Sequence, residues 1–251
     1  TTSPDASSQL DVTSTSKGFL PPRMTDSQRN AISSPVAGLM IWCTDCGTSG
    51  DLLVYNGSAW TNLIGELRNS NLIGSDIDGE AANDHSGRSV SLSSDGSTAA
   101  IGAYYNDGNG TSSGHVRIYK NISGTWTQVG ADIDGEAAGD QSGYSVSLSS
   151  DGSTVAIGAV ANSGSSSYSG HVRIYKNISG TWTQVGTDID GESGGDGSGY
   201  SVSLSSDGSI VAIGATNNSG SSSYSGHVRI YKNISGTWTQ VGADIDGEAA
   251  S

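Results

Sequence analysis

The chain has 251 residues, 37 of them glycine and only one phenylalanine, and a formal charge of −14. So acidic a balance disfavours nucleic acid, because phosphate binding needs clustered Lys and Arg, and no apolar run is long enough to cross a membrane (about 18 residues). High glycine content can mark disorder, but through 70–251 the apolar residues recur in short alternating runs that argue for strands, and the surplus carboxylates remain available to divalent cations.

The first stretch, 1–18, is polar, and Gln9–Thr13 alternates as a strand would. Two prolines in Lys17-Gly-Phe-Leu-Pro-Pro-Arg-Met24 exclude a helix there. Thr25 is placed to cap a short helix over Asp26–Ile32, which Ser33-Ser34-Pro35 ends. Gly38–Cys43 reads as a strand, and Asp51–Tyr55 with Ala59–Ile64 as a hairpin across Asn56-Gly57-Ser58. Cys43-Thr-Asp-Cys46 admits several readings: a redox pair, half of a zinc site shared between chains, or a small loop disulfide or unpaired thiols.

From residue 71 the sequence repeats every 56 residues, in units 75–130, 131–186 and 187–242, with 243–251 a partial fourth. The second and third units differ at only seven positions. Within 131–186 four strands are expected, at 145–149, 154–159, 171–176 and 181–185, the first two joined by the Asp151-Gly152 turn. A Ser/Gly/Asn loop follows the second strand at 104–113, 160–169 and 216–225, and it is the most variable stretch. The fold class is therefore all-β. It is an array of four-stranded antiparallel, propeller-blade-like repeats (71–251) behind a small, mainly β head with one short helix (1–70). Three units and a fragment are fewer than a closed ring takes, so further repeats, an assembly of several chains or an open stack would complete it. The chain begins Thr1-Thr2 and stops inside a repeat, and it reads as a segment of a longer protein with its targeting signal elsewhere or removed.

Two resemblances rest on these motifs. Residues 2–63, with Lys17-Gly-Phe-Leu-Pro-Pro-Arg-Met-Thr25, Gly38-Leu-Met-Ile-Trp42 and Val54-Tyr-Asn-Gly-Ser-Ala-Trp60, are similar to a segment of phage tail-fibre proteins and of large Bacteroidetes surface proteins. That likeness implies a secreted or virion-borne fibre, often homo-oligomeric. The repeats resemble FG-GAP repeats, the blades of integrin-α-type propellers, through Ser142–Val146, Ser150-Asp-Gly152, Ala156–Ala159 and Gly170–Tyr175. They depart from that family in two ways. Its Phe is Ser86, Ser142 or Ser198 here, and its Asp-rich calcium loop is reduced to a single Asp95, Asp151 or Asp207.

The densest carboxylates are Asp76, Asp78 and Glu80, then Asp132, Asp134 and Glu136, then Asp188, Asp190 and Glu192, each trio around a glycine turn. They read either as calcium ligands or as a solvated acidic linker. His115, His171 and His227 open the third strand of each unit, as one shared surface or as ordinary exposed positions. Trp126, Trp182 and Trp238 read as core or as sugar platforms. No catalytic motif appears, and every polar group recurs threefold, which suits avidity better than a unique active site. The expected function is an extracellular structural or adhesive filament subunit. It would be a homo-oligomer binding a cell-surface protein or glycan, neither inserting in membranes nor acting as an enzyme. The alternative is a calcium-dependent ligand-binding propeller.

Overall fold

The computed structural model describes residues 18, 20–46, 50–62, 75–220 and 223–248. The segment Gln9–Thr13 lies outside them. The chain divides into two compact units, Thr1–Leu72 and Ile73–Ser251.

In the first unit, β1 (Arg23–Met24) runs parallel to β2 (Met40–Cys43), which pairs antiparallel with β3 (Asp51–Tyr55) and so on to β4 (Trp60–Asn62). Between β1 and β2 lies α1 (Asp26–Asn30), shorter than expected because Ala31 closes it. Thr25 and Gln28 form a reciprocal capping box, each side chain accepting from the other's backbone N–H. Ile41, Cys43, Leu53 and Trp60 form the core. Cys43 and Cys46 are joined by a disulfide. The bond uses both thiols within the loop, which does not fit half of a zinc site.

The second unit contains three sheets of one design. The first is β5 (Ser89–Leu92), β6 (Thr98–Ala103), β7 (His115–Ile122) and β8 (Thr125–Gln128), with β9 (Ile133–Asp134) beside β7. The second is β10 (Ser142–Leu148), β11 (Thr154–Ala159), β12 (His171–Ile178), β13 (Thr181–Gln184) and β14 (Ile189–Asp190). The third is β15 (Ser198–Leu204), β16 (Ile210–Ala215), β17 (His227–Ile234), β18 (Thr237–Gln240) and β19 (Ile245–Asp246). The four expected strands are present, and all pairings within these sheets are antiparallel. The short fifth strand comes from the acidic stretch. Ile133 pairs with Val116 and Ile189 with Val172, and both isoleucines are buried. In these two copies the stretch is a sheet edge with an apolar anchor, whereas in the first copy residues 75–80 form no strand and are mostly exposed.

Strand alternation sends successive side chains to opposite faces, and in the middle sheet both faces are covered. Val146, Leu148, Val155, Ile157 and Tyr175 pack with Ala100, Val116, Ile118 and Ile133 of the first sheet. Ala156, Val172, Ile174 and Ile189 pack with Val211 and Ile213 of the third. His171, Arg173 and Tyr175 do share one face of β12, as their spacing implies, but that face meets the preceding sheet and all three are buried. The indoles bridge the same gaps. Trp182 Nε1 donates to the Val129 carbonyl and Trp238 Nε1 to that of Val185, both at 2.8 Å. The outer faces lack such cover. Val90 and Leu92 are 67% and 61% exposed, whereas their counterparts Val146 and Leu148 are 9% and 7%.

Backbones from adjacent sheets come close enough that glycine is required. A Cβ on Gly158 would collide with the Gly199 carbonyl oxygen, and Gly102 stands in the same relation to Gly143. The carbonyls of Gly143 and Gly199 also accept from Ser89 Oγ (2.8 Å) and Ser145 Oγ (2.7 Å) of the preceding sheet. Gly214 occupies the equivalent place in the third sheet, but a Cβ there meets Ser201 within its own sheet. Gly158→Ala is therefore expected to destabilise the array by about 1–3 kcal/mol, lowering the Tm clearly more than Gly214→Ala does. Equal losses in parallel thermal melts would contradict stacking as the source.

Candidate functional site

The acids of each trio lie toward different neighbours. Asp132 turns back to the first sheet. Its Oδ1 accepts from Gln128 Nε2 at 2.6 Å and its Oδ2 lies 3.5 Å from His115 Nδ1. Asp134, in register opposite His115, offers its main-chain carbonyl to Arg173 of the next sheet at 2.6 Å. Glu136 goes forward, with Oε1 3.7 Å from Arg173 Nη1 and Oε2 3.8 Å from His171 Nδ1. Asp188, Asp190 and Glu192 divide in the same way toward His171, Arg229 and His227. Of the first trio, Glu80 meets His115 and Arg117, the Asp78 carbonyl accepts from Arg117 Nη2, and Asp76 is exposed.

Three equivalent groups result: Glu80, His115 and Asp132; Glu136, His171 and Asp188; Glu192, His227 and Asp244. Each joins the acid of one turn to the acid of the next across a histidine. The three histidines are 1%, 1% and 6% exposed, and so are not surface positions. Burial is the main cause that lowers the pKa of His115 and His171, against the pull of neighbouring acids such as Asp132 and Asp188. Each Nδ1 lies 3.5–3.8 Å from two carboxylate oxygens, longer than a good hydrogen bond. Burial first, then the Asp188 and Asp140 charges, push Glu136 up despite Arg173. Spacing along the chain hides these groups, since their acids come from consecutive repeats. The recurrence of one histidine per unit was the available clue.

The hairpin aspartates are engaged locally. Asp95 accepts from Ser93 Oγ, Ser97 N and Ser97 Oγ at 2.6–2.9 Å, and Asp151 and Asp207 repeat the pattern with their own serines. Ser142 and Ser198, at the position of the family's Phe, are fully buried and bridge to Gly114 and Gly170 of the preceding unit.

The loops after the second strands form surface clefts. One, of about 520 Å³, lies between the Glu136–Asp140 turn and the loop carrying Asn162, Ser163 and Tyr168. Its equivalent, about 410 Å³, lies between Glu192–Asp196 and the loop carrying Asn218, Ser219 and Tyr224. Residues 221–222 of that loop are not described. Tyr168 and Tyr224 stand exposed on the rims with φ of 56° and 54°, a left-handed conformation rare for bulky residues. A row of aromatics crosses the units as well. Tyr104, Tyr144 and Tyr200 are spaced 5.6 and 5.1 Å between ring centroids, and the Arg88 guanidinium lies 4.4 Å over Tyr144. Sequence reading passed over the aromatic row.

The geometry defines a tandem β-sheet repeat protein with a separate head. Residues 1–80 match the phage tail like trimerisation region, and residues 71–119 match the FG-GAP repeat, in the order that the motifs suggested. No curated protein matches the chain. Among solved structures, the periplasmic gluconolactonase PpgL of Pseudomonas aeruginosa is 14% identical, with a TM-score of 0.43 over 77% of this chain and 49% of that one. Sqt1 of Saccharomyces cerevisiae is also 14% identical, with a TM-score of 0.42 over 64% of this chain and 36% of that one. Kuenenia stuttgartiensis hydrazine synthase is 12% identical, with a TM-score of 0.42 over 78% of this chain and 45% of that one. This chain spans about half or less of those proteins, and likenesses so slight carry no argument about activity. Among the described residues no helix is long and apolar enough to cross a membrane.

The hairpin carboxylates have a pH consequence. Hydrogen bonds, that of Ser93 first for Asp95 and that of Ser205 first for Asp207, hold both carboxyls down at about 2 from the ordinary 3.8. A depressed folded-state value contributes stability above the unfolded pKa that is lost as pH falls toward the folded one. The Asp95→Asn/Asp151→Asn/Asp207→Asn variant should melt below wild type at pH 7, with the gap closing between about pH 4 and pH 2. A gap unchanged at pH 2 in thermal melts would contradict this.

Proposed function

We propose that this chain is a subunit of an extracellular or virion-borne fibre or surface filament, whose head joins copies of the chain and whose repeats present weak adhesive contacts. A phage tail like trimerisation region followed by FG-GAP repeats fits an oligomeric, extracellular β-repeat protein. The observation that carries the adhesive part is the duplicated cleft with a tyrosine on its rim. Three of the seven differences between the second and third units, Ala137 against Ser193, Ala138 against Gly194 and Ala161 against Asn217, fall on the cleft walls. The scaffold stays constant while the lining changes, as it would in a contact surface tuned apart from its support.

An exposed tyrosine ring beside Asn, Ser and Asp side chains suits a glycan, whose sugar faces are apolar and whose rims are hydroxyls. Each cleft opens to solvent, and its single contacts are weak on this reading. Linking them on one rigid array, and arrays through the head, raises overall avidity by about 10²–10⁴. This is adhesion by repetition, with no catalytic step.

Light scattering of the purified full chain should give a trimer. On arrays of immobilised cell-surface glycans, Tyr168→Ala/Tyr224→Ala should lose retention by at least about tenfold while melting as wild type does. A monomer, or retention unchanged in the double variant, would overturn the proposal.

A further inference from the structure

We propose that each unit of the array carries a transition-metal site of the zinc class, built from Glu80, His115 and Asp132, from Glu136, His171 and Asp188, and from Glu192, His227 and Asp244. Each group brings one imidazole nitrogen and two carboxylate oxygens within 4.8 Å of one another. The imidazoles are more than nine-tenths buried, and among the described residues Nδ1 of each has no hydrogen-bond partner. Such an orphaned buried nitrogen calls for an explanation. Here it faces two carboxylate oxygens at 3.5–3.8 Å in all three copies. That is too long for a good hydrogen bond. It is near the separation of about 3.3–3.5 Å that two ligands at about 2.0–2.1 Å from a tetrahedral ion would have.

The outer oxygens are already held, as supporting groups around a metal commonly hold its ligands. Gln128, Gln184 and Gln240 donate through Nε2 to Oδ1 of Asp132, Asp188 and Asp244 at 2.6 Å, leaving Oδ2 toward the histidine. Arg117, Arg173 and Arg229 lie 3.6–3.8 Å from Oε1 of Glu80, Glu136 and Glu192, leaving Oε2 toward it. The half-exposed glutamates give an ion a way in from solvent. An imidazole nitrogen and two carboxylate oxygens converging within 4.8 Å offer three ligand atoms to one cation. A nitrogen donor and three protein ligands suit Zn²⁺, Co²⁺ or Ni²⁺, whereas Ca²⁺ takes six to eight oxygens. The fourth position is left to water.

The test uses the full chain stripped with chelator and titrated with Zn²⁺ alone and Ca²⁺ alone, by calorimetry and native mass spectrometry. The expected result is three Zn²⁺ per chain, no comparable Ca²⁺ binding, and visible absorption bands of tetrahedral form with Co²⁺. Glu136→Gln keeps the shape of a half-exposed side chain and should fold normally. It should lose one ion, as should His171→Ala if that variant folds. Absence of Zn²⁺ binding at micromolar concentrations, Ca²⁺ bound as well as Zn²⁺, or three ions retained by Glu136→Gln would each overturn the proposal.

Discussion

The close approach of Gly158 to the Gly199 carbonyl, and of Gly102 to that of Gly143, sets the spacing on which the array depends. With no Cβ in the way, sheets lie near enough for Val155 and Ile157 to mesh with Val116 and Ile118, and for the indole of Trp182 to reach the Val129 carbonyl. The glycine content that looks like a mark of disorder is in part the condition for this packing. The serines of the first strands have a matching reason: Ser89 and Ser145 donate to carbonyls of the following sheet, and Ser91 and Ser147 accept from its N–H groups, where a larger side chain would hold it off. A unit of this kind has no two-layer core of its own. Its core is the gap between it and its neighbour.

Much of this was legible in the residues. The 56-residue period, the Asp-Gly hairpins and the alternation of Val172 and Ile174 with His171, Arg173 and Tyr175 place four strands per unit where they lie. What alternation does not reveal is what covers each face. His171 and Arg173 look like the solvent side of a strand and are buried, because a second sheet lies against them. Ile133 and Ile189 look like isolated apolar residues in an acidic linker and are anchors of a fifth strand. The acids around them read as compact trios, yet the fold sends Asp132 backward and Glu136 forward. Only stacking brings Glu136 within reach of Asp188, 52 residues on. In the head, Thr25 announced the helix start, whereas its early end at Asn30 left no such trace.

The same stacking links structure to function. Polar groups that a single sheet would leave in solvent are gathered at each junction into a fixed arrangement, and it recurs because the junction recurs. The clefts at the outer loops recur for the same reason, with linings that differ at Ala137 and Ser193 or Ala161 and Asn217 while the supporting strands stay the same. Val90 and Leu92 in the first sheet, and Ile245 in the third, stay exposed where their counterparts in the middle sheet are buried.

Native-state hydrogen exchange tests mutual burial most directly. The strands His171–Ile178 and His227–Ile234 have one sequence, so any difference between them arises from their neighbours. Peptides spanning 160–178 and 216–234 are told apart by Val160 against Thr216. If the sheets form one core, the strand amides of 171–178 exchange only through global unfolding, with the free energy that denaturant melts give. Exchange of 171–178 through a local opening that leaves the adjoining sheets folded would contradict it.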